Sequence, residues 1–378
     1  MNRPSAFRRY FLPGFVFQSV VIAGGYGTGR ELAEFFLSQG PLGGVLAIFT
    51  TTVVWSAVAM ATFEFARLYQ AYDYRHFFQH LLGRGWFLFE VCYVMLLLIV
   101  LAVVAAAAGS IIEETFGIGY WVGVAGIMTA VAALVFGGSA VIEKALSAWS
   151  FVLYGVYLIF FFWCLQRFGP RIGDAFAHAS LGSGWFLAGV RYAGYNLALV
   201  PAILFTISEG DSPRDTLVAG ALAGPIAMIP GLLFFVAMVG EYPGILERTI
   251  PANQLLEALG SRAFQITFQV VLFGTLIETG TGLIHAVNER IAGVLRDRST
   301  TMPAWVRPAV GLVFLAAGTA IARFGLIGLI ARGYGTLTWL FIAVYVVPVL
   351  TLGVWRIRRF TVPVASSPQP TPLPPSDP

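Results

Sequence analysis

The sequence predicts an all-α integral membrane protein with about ten transmembrane helices of roughly 20 residues each. Of its 378 residues, 58% are apolar and only 11% are Asp, Glu, Lys or Arg, and the mean hydropathy is +0.79. Soluble domains carry about twice that density of charge. A water-soluble globule of this composition would also expose more apolar surface than soluble monomers tolerate, so we expect the lipid bilayer to surround the chain.

The predicted spans follow one another along the chain, and each is apolar over a length close to the thickness of the hydrocarbon core. They lie at residues 11–36, 42–70, 86–112, 119–136, 145–164, 186–207, 217–239, 264–294, 306–322 and 326–355. The ninth is the least secure, because it is short and the tenth follows it almost at once.

The two ends of the chain differ in character. The start, MNRPSAFRRY before an apolar run, resembles a signal peptide but has no small-residue cleavage site, so we expect a retained first span. Residues 1–360 are predicted to form a single transmembrane domain. Residues 361–378 contain seven prolines and no apolar period, which predicts a disordered cytoplasmic tail.

Lys and Arg in the connections predict the orientation in the membrane. With the N-terminus in the cytoplasm, fifteen of the 23 basic residues fall on the cytoplasmic side, and an even number of spans puts both termini there. The net charge of +4 does not indicate a nucleic-acid partner, because the basic residues build no basic face. Cys92 and Cys164 lie in apolar runs without metal-ligand spacing, so neither a disulfide framework nor a zinc site is expected.

A polar gap at residues 167–184 separates five predicted spans from five more. Because five spans return the chain to the opposite face, the halves at residues 10–165 and 185–356 are predicted to be inverted repeats. The first span of each half is interrupted, by GGYGTG at residues 24–29 and by Gly-Tyr-Asn at residues 194–196, which lead to Pro201. Paired interruptions of this kind are the best sequence indication of a binding site near the membrane midplane.

The interruption of span one is expected to expose backbone groups, because its four glycines allow conformations that branched residues resist. Carbonyls of the first half-helix can hold a cation, and amides that open the second can hold an anionic group. The alternative is close helix packing, since Gly25 and Gly29 also form a GxxxG pattern. The candidate substrate-binding residues are Gly25, Tyr26, Gly27, Thr28 and Gly29, together with Tyr195 and Asn196 of span six.

Charged residues follow directly after the first interruption. Arg30 and Glu34 are four residues apart and can pair along a helix, whereas Glu31 points elsewhere. Charges at membrane depth are costly and usually face a pathway or a partner. We therefore interpret Arg30 and Glu31 as gating candidates, with snorkelling at the outer interface as the alternative for Glu31 and Glu34.

Span eight carries a polar stripe at helical spacing. The stripe consists of residues spaced three, four, three and four apart, which are Thr275, Glu278, Gly282, His285 and Glu289. A carboxylate near the midplane must be paired, hydrated or protonated, so Glu278 is the leading ion-coupling candidate. The alternative is a neutral Glu278 that holds helices together. Thr279 and Thr281 lie beside the stripe at the same depth, and Thr275 and Thr279 are the further ion-coupling candidates.

The motifs that would indicate an enzyme or a primary pump are absent from the sequence. There is no HExxH, no GxxxxGK[ST] and no Arg ladder, and no nucleophile has a base at workable spacing. We therefore expect no enzyme and no cofactor beyond a possible Na⁺ ion.

Two stretches resemble the YkvI-type bacterial membrane protein family. They are GGYGTGRELAEFF at residues 24–36, similar to the family's first span, and GTLIETGTGLIHAVNER at residues 274–290, similar to its eighth span. That family is grouped with the amino acid, polyamine and organocation transporter superfamily. The resemblance therefore implies the five-plus-five inverted repeat known as the LeuT fold, in a bacterial cytoplasmic membrane.

The resemblance also implies where ligands would lie. A substrate would sit between the interruptions at residues 25–29 and 195–196. Sodium-coupled relatives hold one Na⁺ between span-one carbonyls and span-eight hydroxyls, and the matching positions here are Ala23–Tyr26 and Thr279 or its neighbours.

Some relatives have an arginine just past the first interruption as an outer gate, which Arg30 matches. Proton-coupled relatives have a lysine midway along span five. This chain has no lysine at that position, since Lys144 lies at the cytoplasmic start of the span. The span-eight hydroxyl pair is also replaced by Glu278 and Thr279. The coupling ion, Na⁺ or H⁺, therefore stays open.

The leading hypothesis is a secondary transporter of an amino acid or similar small organic solute that works by alternating access. A non-transporting ligand sensor or scaffold with the same fold is the alternative. The sequence identifies neither the solute nor the oligomeric state.

Overall fold

Helices lie at each segment that was predicted to span the membrane, in the part of the chain that the structure describes. The computed structural model describes residues 5–22, 24–137, 139–207, 212–297, 300, 302–303 and 305–361. No β-strand occurs among these residues. Predictions for Ala23 and for the tail at 362–378 lie outside them.

The helices are numbered α1 to α13 in chain order. They are α1 Leu12–Val21, α2 Arg30–Phe35, α3 Gly40–Tyr69, α4 Tyr74–Leu82, α5 Trp86–Phe116, α6 Tyr120–Gly137, α7 Ser139–Ala177, α8 Trp185–Asn196, α9 Pro213–Val239, α10 Pro251–Leu259, α11 Arg262–Asp297, α12 Val306–Ala322 and α13 Gly325–Arg359. A short helical turn, Gly24–Gly27, lies between α1 and α2, and a 3₁₀ segment, Leu197–Thr206, continues α8.

Seven helical stretches among the described residues are long and apolar enough to cross a membrane. They are Arg30–Tyr69, Tyr74–Phe116, Val152–Ala177, Trp185–Thr206, Pro213–Val239, Arg262–Leu295 and Gly325–Arg359. Two further apolar helices, Tyr120–Phe136 and Val306–Ala322, are shorter. The count of ten spans and their arrangement as inverted repeats therefore stay predictions.

Local sequence signals explain where several helices begin. Ser212 and Asp215 form a capping box at the start of α9, because each accepts a hydrogen bond from the other's backbone amide. The Asp73 side chain accepts from the amides of Arg75 and His76 at the start of α4. Gly40 begins α3 with a φ of +76°, a conformation that residues with a side chain rarely adopt.

The long helix α3 packs closely against both α8 and α9 because glycines line the contacts. A methyl group added at Gly220 of α9 would lie 2.5 Å from Cα of Met60, and one added at Gly189 of α8 would lie 2.5 Å from the carbonyl oxygen of Ala47. Thr51 donates a hydrogen bond of 2.9 Å to the Gly189 carbonyl. Small residues at such contacts let membrane helices approach closely, so these three helices form one packed unit around the interruption of span one.

We expect Gly220→Val to destabilise the protein by about 1–3 kcal/mol, because the new side chain collides with the backbone of α3 and the helices must move apart. The matched control is Gly126→Val on the exposed face of α6, where no atom lies within 4 Å of an added methyl group. Thermal unfolding of the two purified variants in one detergent measures the difference. Equal unfolding temperatures would contradict the close packing of α3 and α9.

Candidate functional site

Span one is interrupted where the glycine-rich sequence predicts. Helix α1 ends at Val21, Ile22 turns away with a ψ of 84°, and Gly29 has a φ of +80° directly before α2. A left-handed conformation at this position needs glycine, which explains the last glycine of the run. The interruption therefore consists of one short helical turn between two half-helices.

The backbone carbonyls of the interruption all accept hydrogen bonds from the protein. Within the chain, Thr28 donates its amide to Gly24 and its hydroxyl to Gly25, while the amide of Gly29 donates to Tyr26. The Gly27 carbonyl accepts from the hydroxyl of Tyr157 at 2.9 Å. The Thr28 carbonyl accepts from the amide of Ala252 at 3.0 Å, at the start of α10. Each carbonyl from residue 24 to residue 28 thus already has a donor.

The amides of Thr28, Gly29 and Arg30 are likewise engaged, the last with the Thr28 hydroxyl at 3.4 Å. The sequence predicted that amides at this position would be free to hold an anionic group. Of the amides that open α2, that of Arg30 is engaged within the turn and so is not free for an anionic group.

Arg30 connects the interruption to the segment between α9 and α10. Its guanidinium donates to the carbonyls of Leu246 at 2.8 Å and Arg248 at 3.0 Å, and to the Glu34 carboxylate at 2.8 Å. The Arg30 side chain is only 6% exposed. The pairing of Arg30 with Glu34 agrees with their spacing. The Arg30 bonds and the Ala252 contact hold the connection between α9 and α10 against the interruption.

Glu31 turns inward, away from the Arg30 contacts. It is 2% exposed, and its carboxylate accepts a hydrogen bond of 2.7 Å from the hydroxyl of Tyr195 in α8. The carboxylate also lies directly against Gly25, where an added methyl group would meet the Glu31 side chain. Glu31 therefore joins the two predicted interruptions at the centre of the protein.

Aromatic residues surround this carboxylate. The ring of Tyr195 stacks on Tyr334 of α13 with centroids 4.4 Å apart, and meets Tyr192 edge-on at 5.6 Å. Phe35 lies 5.8 Å from Tyr195. Tyr26 and Tyr192 are completely buried, and neither hydroxyl has a hydrogen-bond partner among the described residues. We call Glu31 with Tyr26, Tyr192, Tyr195 and Tyr334 the tyrosine cluster.

Sequence reasoning missed Tyr334. The only signal available was a polar-tipped aromatic residue inside an apolar span, and such residues are equally common as packing or interface residues. What brings Tyr334 to the site is the packing of α13 against α8, where Thr338 donates a 2.7 Å hydrogen bond to the Arg191 carbonyl.

The interruption of span six covers the second part of the predicted stretch. Gly194, Tyr195 and Asn196 lie within the regular helix α8, and the chain tightens into a 3₁₀ segment from Leu197, which contains Pro201. Gly194 is explained by close packing, since an added methyl group would lie 2.8 Å from the Thr338 side chain. Asn196 donates to the Tyr192 carbonyl of its own helix at 3.1 Å.

Leucines of span eight, rather than its polar stripe, contact the interruption of span one. Methyl groups added at Gly24 and Gly27 would lie 2.6 and 2.7 Å from the side chains of Leu276 and Leu272. The Thr275 and Thr279 hydroxyls donate to carbonyls of their own helix, those of Val271 and Thr275. The predicted Na⁺ ligands on α11 therefore do not converge with the span-one carbonyls in this structure, and Ala23 lies outside the described residues.

Glu278 is half-buried beside an apolar groove of about 530 Å³ between α5, α6 and α11. Ile112, Phe116 and Leu134 belong to its lining. Among the described residues, Glu278 has no hydrogen bond or ion pair. The structure thus separates Glu278 from the Glu31–Tyr195 contact, and the two carboxylates occupy different environments.

No group of three or more His, Cys, Asp or Glu side chains that could hold a metal ion occurs among the described residues. The tyrosine cluster itself supplies one carboxylate. A divalent cation held by protein ligands takes several oxygen or nitrogen donors.

Comparisons with known proteins agree with the helical architecture. No protein-family model matches the chain. The chain is 23% identical over 295 residues to the uncharacterized membrane protein YkvI of Bacillus subtilis (strain 168), which covers 75% of this chain and 82% of that protein. It aligns with a histidine-to-alanine variant of the manganese transporter of Eremococcus coleocola at a TM-score of 0.54 and 14% identity, over 96% of this chain and 98% of that one.

An identity this low to a solved structure shows the fold alone. The membrane-protein relative and the transporter fold agree with the expectation that the chain is not an enzyme. The several apolar spans and the YkvI relative establish a membrane protein. The resemblance to the YkvI-type membrane proteins, predicted from two short motifs, is therefore confirmed, and the chain has the fold of a solved manganese transporter.

Proposed function

We propose that the protein is a secondary transporter that carries a small organic solute across a bacterial cytoplasmic membrane by alternating access. The observation that carries the proposal is the interrupted span one with a buried carboxylate beside it. Backbone that leaves regular helix at membrane depth is tolerated where it is enclosed by protein or lines a cavity, and in transporters it marks the binding site. The fold of the solved neighbour supports the same conclusion.

In this proposal the tyrosine cluster and the interruption of span one form the binding site. The Arg30 contacts close this site at the outer end. Movement of the two five-span halves relative to each other would expose the site to each side in turn. Both termini would lie in the cytoplasm. Entry from outside requires the guanidinium to leave the Leu246 and Arg248 carbonyls, so Arg30 acts as a gate.

The solved neighbour transports manganese, and the chemistry here favours a different cargo. The tyrosine cluster holds a single carboxylate among phenol rings, and the described residues contain no metal-binding group. Aromatic walls with a few polar tips are typical of small-molecule sites. An amino acid or a similar organic solute therefore fits the site better than a divalent cation.

The proposal is tested by ligand screening followed by transport. The purified full-length protein is screened by thermal shift against amino acids and amines, with and without Na⁺. Solutes that stabilise it are then offered to proteoliposomes under an imposed Na⁺ or proton gradient. We expect accumulation above the equilibrium level under one of the gradients. Binding without accumulation under either gradient would favour the sensor or scaffold alternative and contradict transport.

We also propose that Glu278 couples transport to Na⁺ or H⁺, because it is a carboxylate in an apolar groove with no described partner. We expect Glu278→Gln to lower gradient-driven uptake about tenfold, the scale of a coupling free energy between two sites, while exchange of solute without a gradient persists. Glu113→Gln, which removes an exposed carboxylate near the end of α5, is the matched control. Unchanged gradient-driven uptake in Glu278→Gln would contradict the coupling role.

A further inference from the structure

We propose that the tyrosine cluster recognises a positively charged ammonium group on the solute, with the Glu31 carboxylate as its counter-charge. This inference deepens the proposed function and rests on it, because it names the substrate class of the same site. Four features of the site support it: the missing counter-charge, the surrounding rings, two free hydroxyls and the poor environment for an anion.

The first feature is that no described basic side chain neutralises Glu31. The neighbouring Arg30 is committed to Glu34 and to the connection after α9. Arg191, one turn before Tyr195 in α8, lies over the Phe35 ring with its guanidinium carbon 5.7 Å from the ring centroid. Among the described contacts of the carboxylate, the Tyr195 hydroxyl is the one polar donor. A charge buried at membrane depth needs a partner, and a cationic solute supplies it.

The second feature is the arrangement of rings. Tyr195 and Tyr334 are stacked with an interplanar angle of 15°, and Tyr192 meets Tyr195 at 83°. Tyr192 also packs against Trp55 at 5.8 Å and Phe35 at 5.5 Å. The ring faces that this stacking leaves uncovered attract a cation through their negative charge, and such faces favour substituted ammonium groups over strongly hydrated metal ions.

The third feature is a pair of buried hydroxyl groups without partners. Tyr26 and Tyr192 are both 0% exposed, and neither hydroxyl has a hydrogen-bond partner among the described residues. A buried polar group without a hydrogen bond is costly, and such groups are rare unless a ligand or an ordered water satisfies them. Phenol and carboxylate oxygens both accept hydrogen bonds, which is what the N–H donors of a primary ammonium group require.

The fourth feature is that the site is unfavourable for a solute whose only charge is negative. The amides of Thr28, Gly29 and Arg30 are engaged within the protein, so they are not available to an anion. The Glu31 carboxylate itself lies against Gly25, next to these amides. A solute whose only charge is negative would meet like charge at this position, whereas an amine would meet its counter-charge.

The test uses three sets of matched probes. Each set contains an amino acid, the amine obtained by removing its carboxylate, and the acid obtained by removing its amino group. The sets are alanine with ethylamine and propionate, leucine with isopentylamine and 4-methylpentanoate, and phenylalanine with phenethylamine and 3-phenylpropionate. Thermal shift and isothermal titration on the purified full-length protein measure binding. We expect every probe that binds to carry an ammonium group.

Glu31→Gln tests the counter-charge, because it preserves size and the ability to bond Tyr195 while removing the negative charge. We expect it to weaken binding of the amine probes by at least about tenfold, the equivalent of one lost charged contact. Its unfolding temperature without ligand and its elution as a single species show that it folds. Glu113→Gln is the control and should bind the amines as the natural sequence does.

Three results would overturn the inference: acids that bind as tightly as the matched amines, amine binding that survives Glu31→Gln, or a response to Na⁺ or Mn²⁺ alone with none to any amine. Absence of binding by all nine probes would overturn it too, since the sets run from two-carbon to aromatic solutes. Transport is judged separately. An amine that binds through Glu31 but is not moved into proteoliposomes would leave this inference intact and contradict the proposed function.

Discussion

Replacing Arg30 with methionine is expected to release the connection after α9 from the interruption of span one and to destabilise the protein by about 3 kcal/mol. Methionine keeps much of the side-chain length but removes the guanidinium that donates to Leu246, Arg248 and Glu34. Because the Arg30 side chain is only 6% exposed, water does not readily replace these bonds. The loss therefore exceeds that of a surface ion pair, which contributes about 0–1 kcal/mol.

Thermal unfolding and hydrogen exchange measure the two parts of this prediction. Exchange at residues 244–259 should become faster in Arg30→Met, since this segment loses its bonds to Arg30 and is then tied to span one through the Ala252 amide and the Thr28 carbonyl. Arg171→Met is the matched control, because Arg171 is 67% exposed in its pair with Glu241 on the same predicted side of the molecule. Unchanged protection of residues 244–259 would show that Arg30 does not close the site.

The features of span one could be predicted from the sequence because they depend on local chemistry. Four glycines within six residues predict an interrupted helix, and the positive φ of Gly29 is the conformation that requires one of them. The spacing of Arg30 and Glu34 likewise predicts their ion pair, since residues four apart are neighbours on a helix. Hydropathy also located the helices well, because lipid solvation acts on every span in the same way.

The features that depend on which helices become neighbours could not be predicted in this way. The polar stripe of span eight has the correct helical spacing, but periodicity does not tell which face meets span one. In the structure Leu272 and Leu276 make that contact. Gly194 has the same ambiguity, because a glycine can break a helix or let a neighbour approach, and only its contact with Thr338 distinguishes the two.

The site also changes the roles that the charges suggest. Glu31 stands beside Arg30 in the sequence and was interpreted with it as a gate, whereas the first turn of α2 points the two side chains in different directions. Arg30 reaches the outer connection and Glu31 reaches Tyr195. A carboxylate inside the protein is suited to contact a solute, and an arginine at the entrance is suited to close over it. That division of roles is a proposal for which the Arg30 and Glu31 variants provide independent tests.

At the predicted cytoplasmic end, the largest effect is expected from Asp215→Ala. The Asp215 carboxylate accepts from the amide of Ser212 at 2.9 Å and its hydroxyl at 2.8 Å, and from the hydroxyl of Tyr10 at 2.8 Å. Arg9 lies 3.4 Å away from it. One side chain thus completes the capping box of α9 and ties the segment before α1 to that helix. Its removal should cost about 2–4 kcal/mol, the sum of a helix cap and a buried hydrogen bond to a charged group.

Hydrogen exchange separates this local release from general unfolding. In Asp215→Ala, residues 7–21 and the first turn of α9 should exchange faster, while the Arg30 contacts at the other end keep their protection. Asp174→Ala provides the control, because Asp174 is exposed at the end of α7 and its side chain has no described partner. If transport proceeds by alternating access, Arg30→Met and Asp215→Ala should act in opposite directions. Arg30→Met should favour the conformation open to the outside, and Asp215→Ala, which frees the first half of span one at its inner end, should favour the one open to the cytoplasm. Equal protection of residues 7–21 in Asp215→Ala and the natural sequence would mean that this carboxylate does not anchor span one.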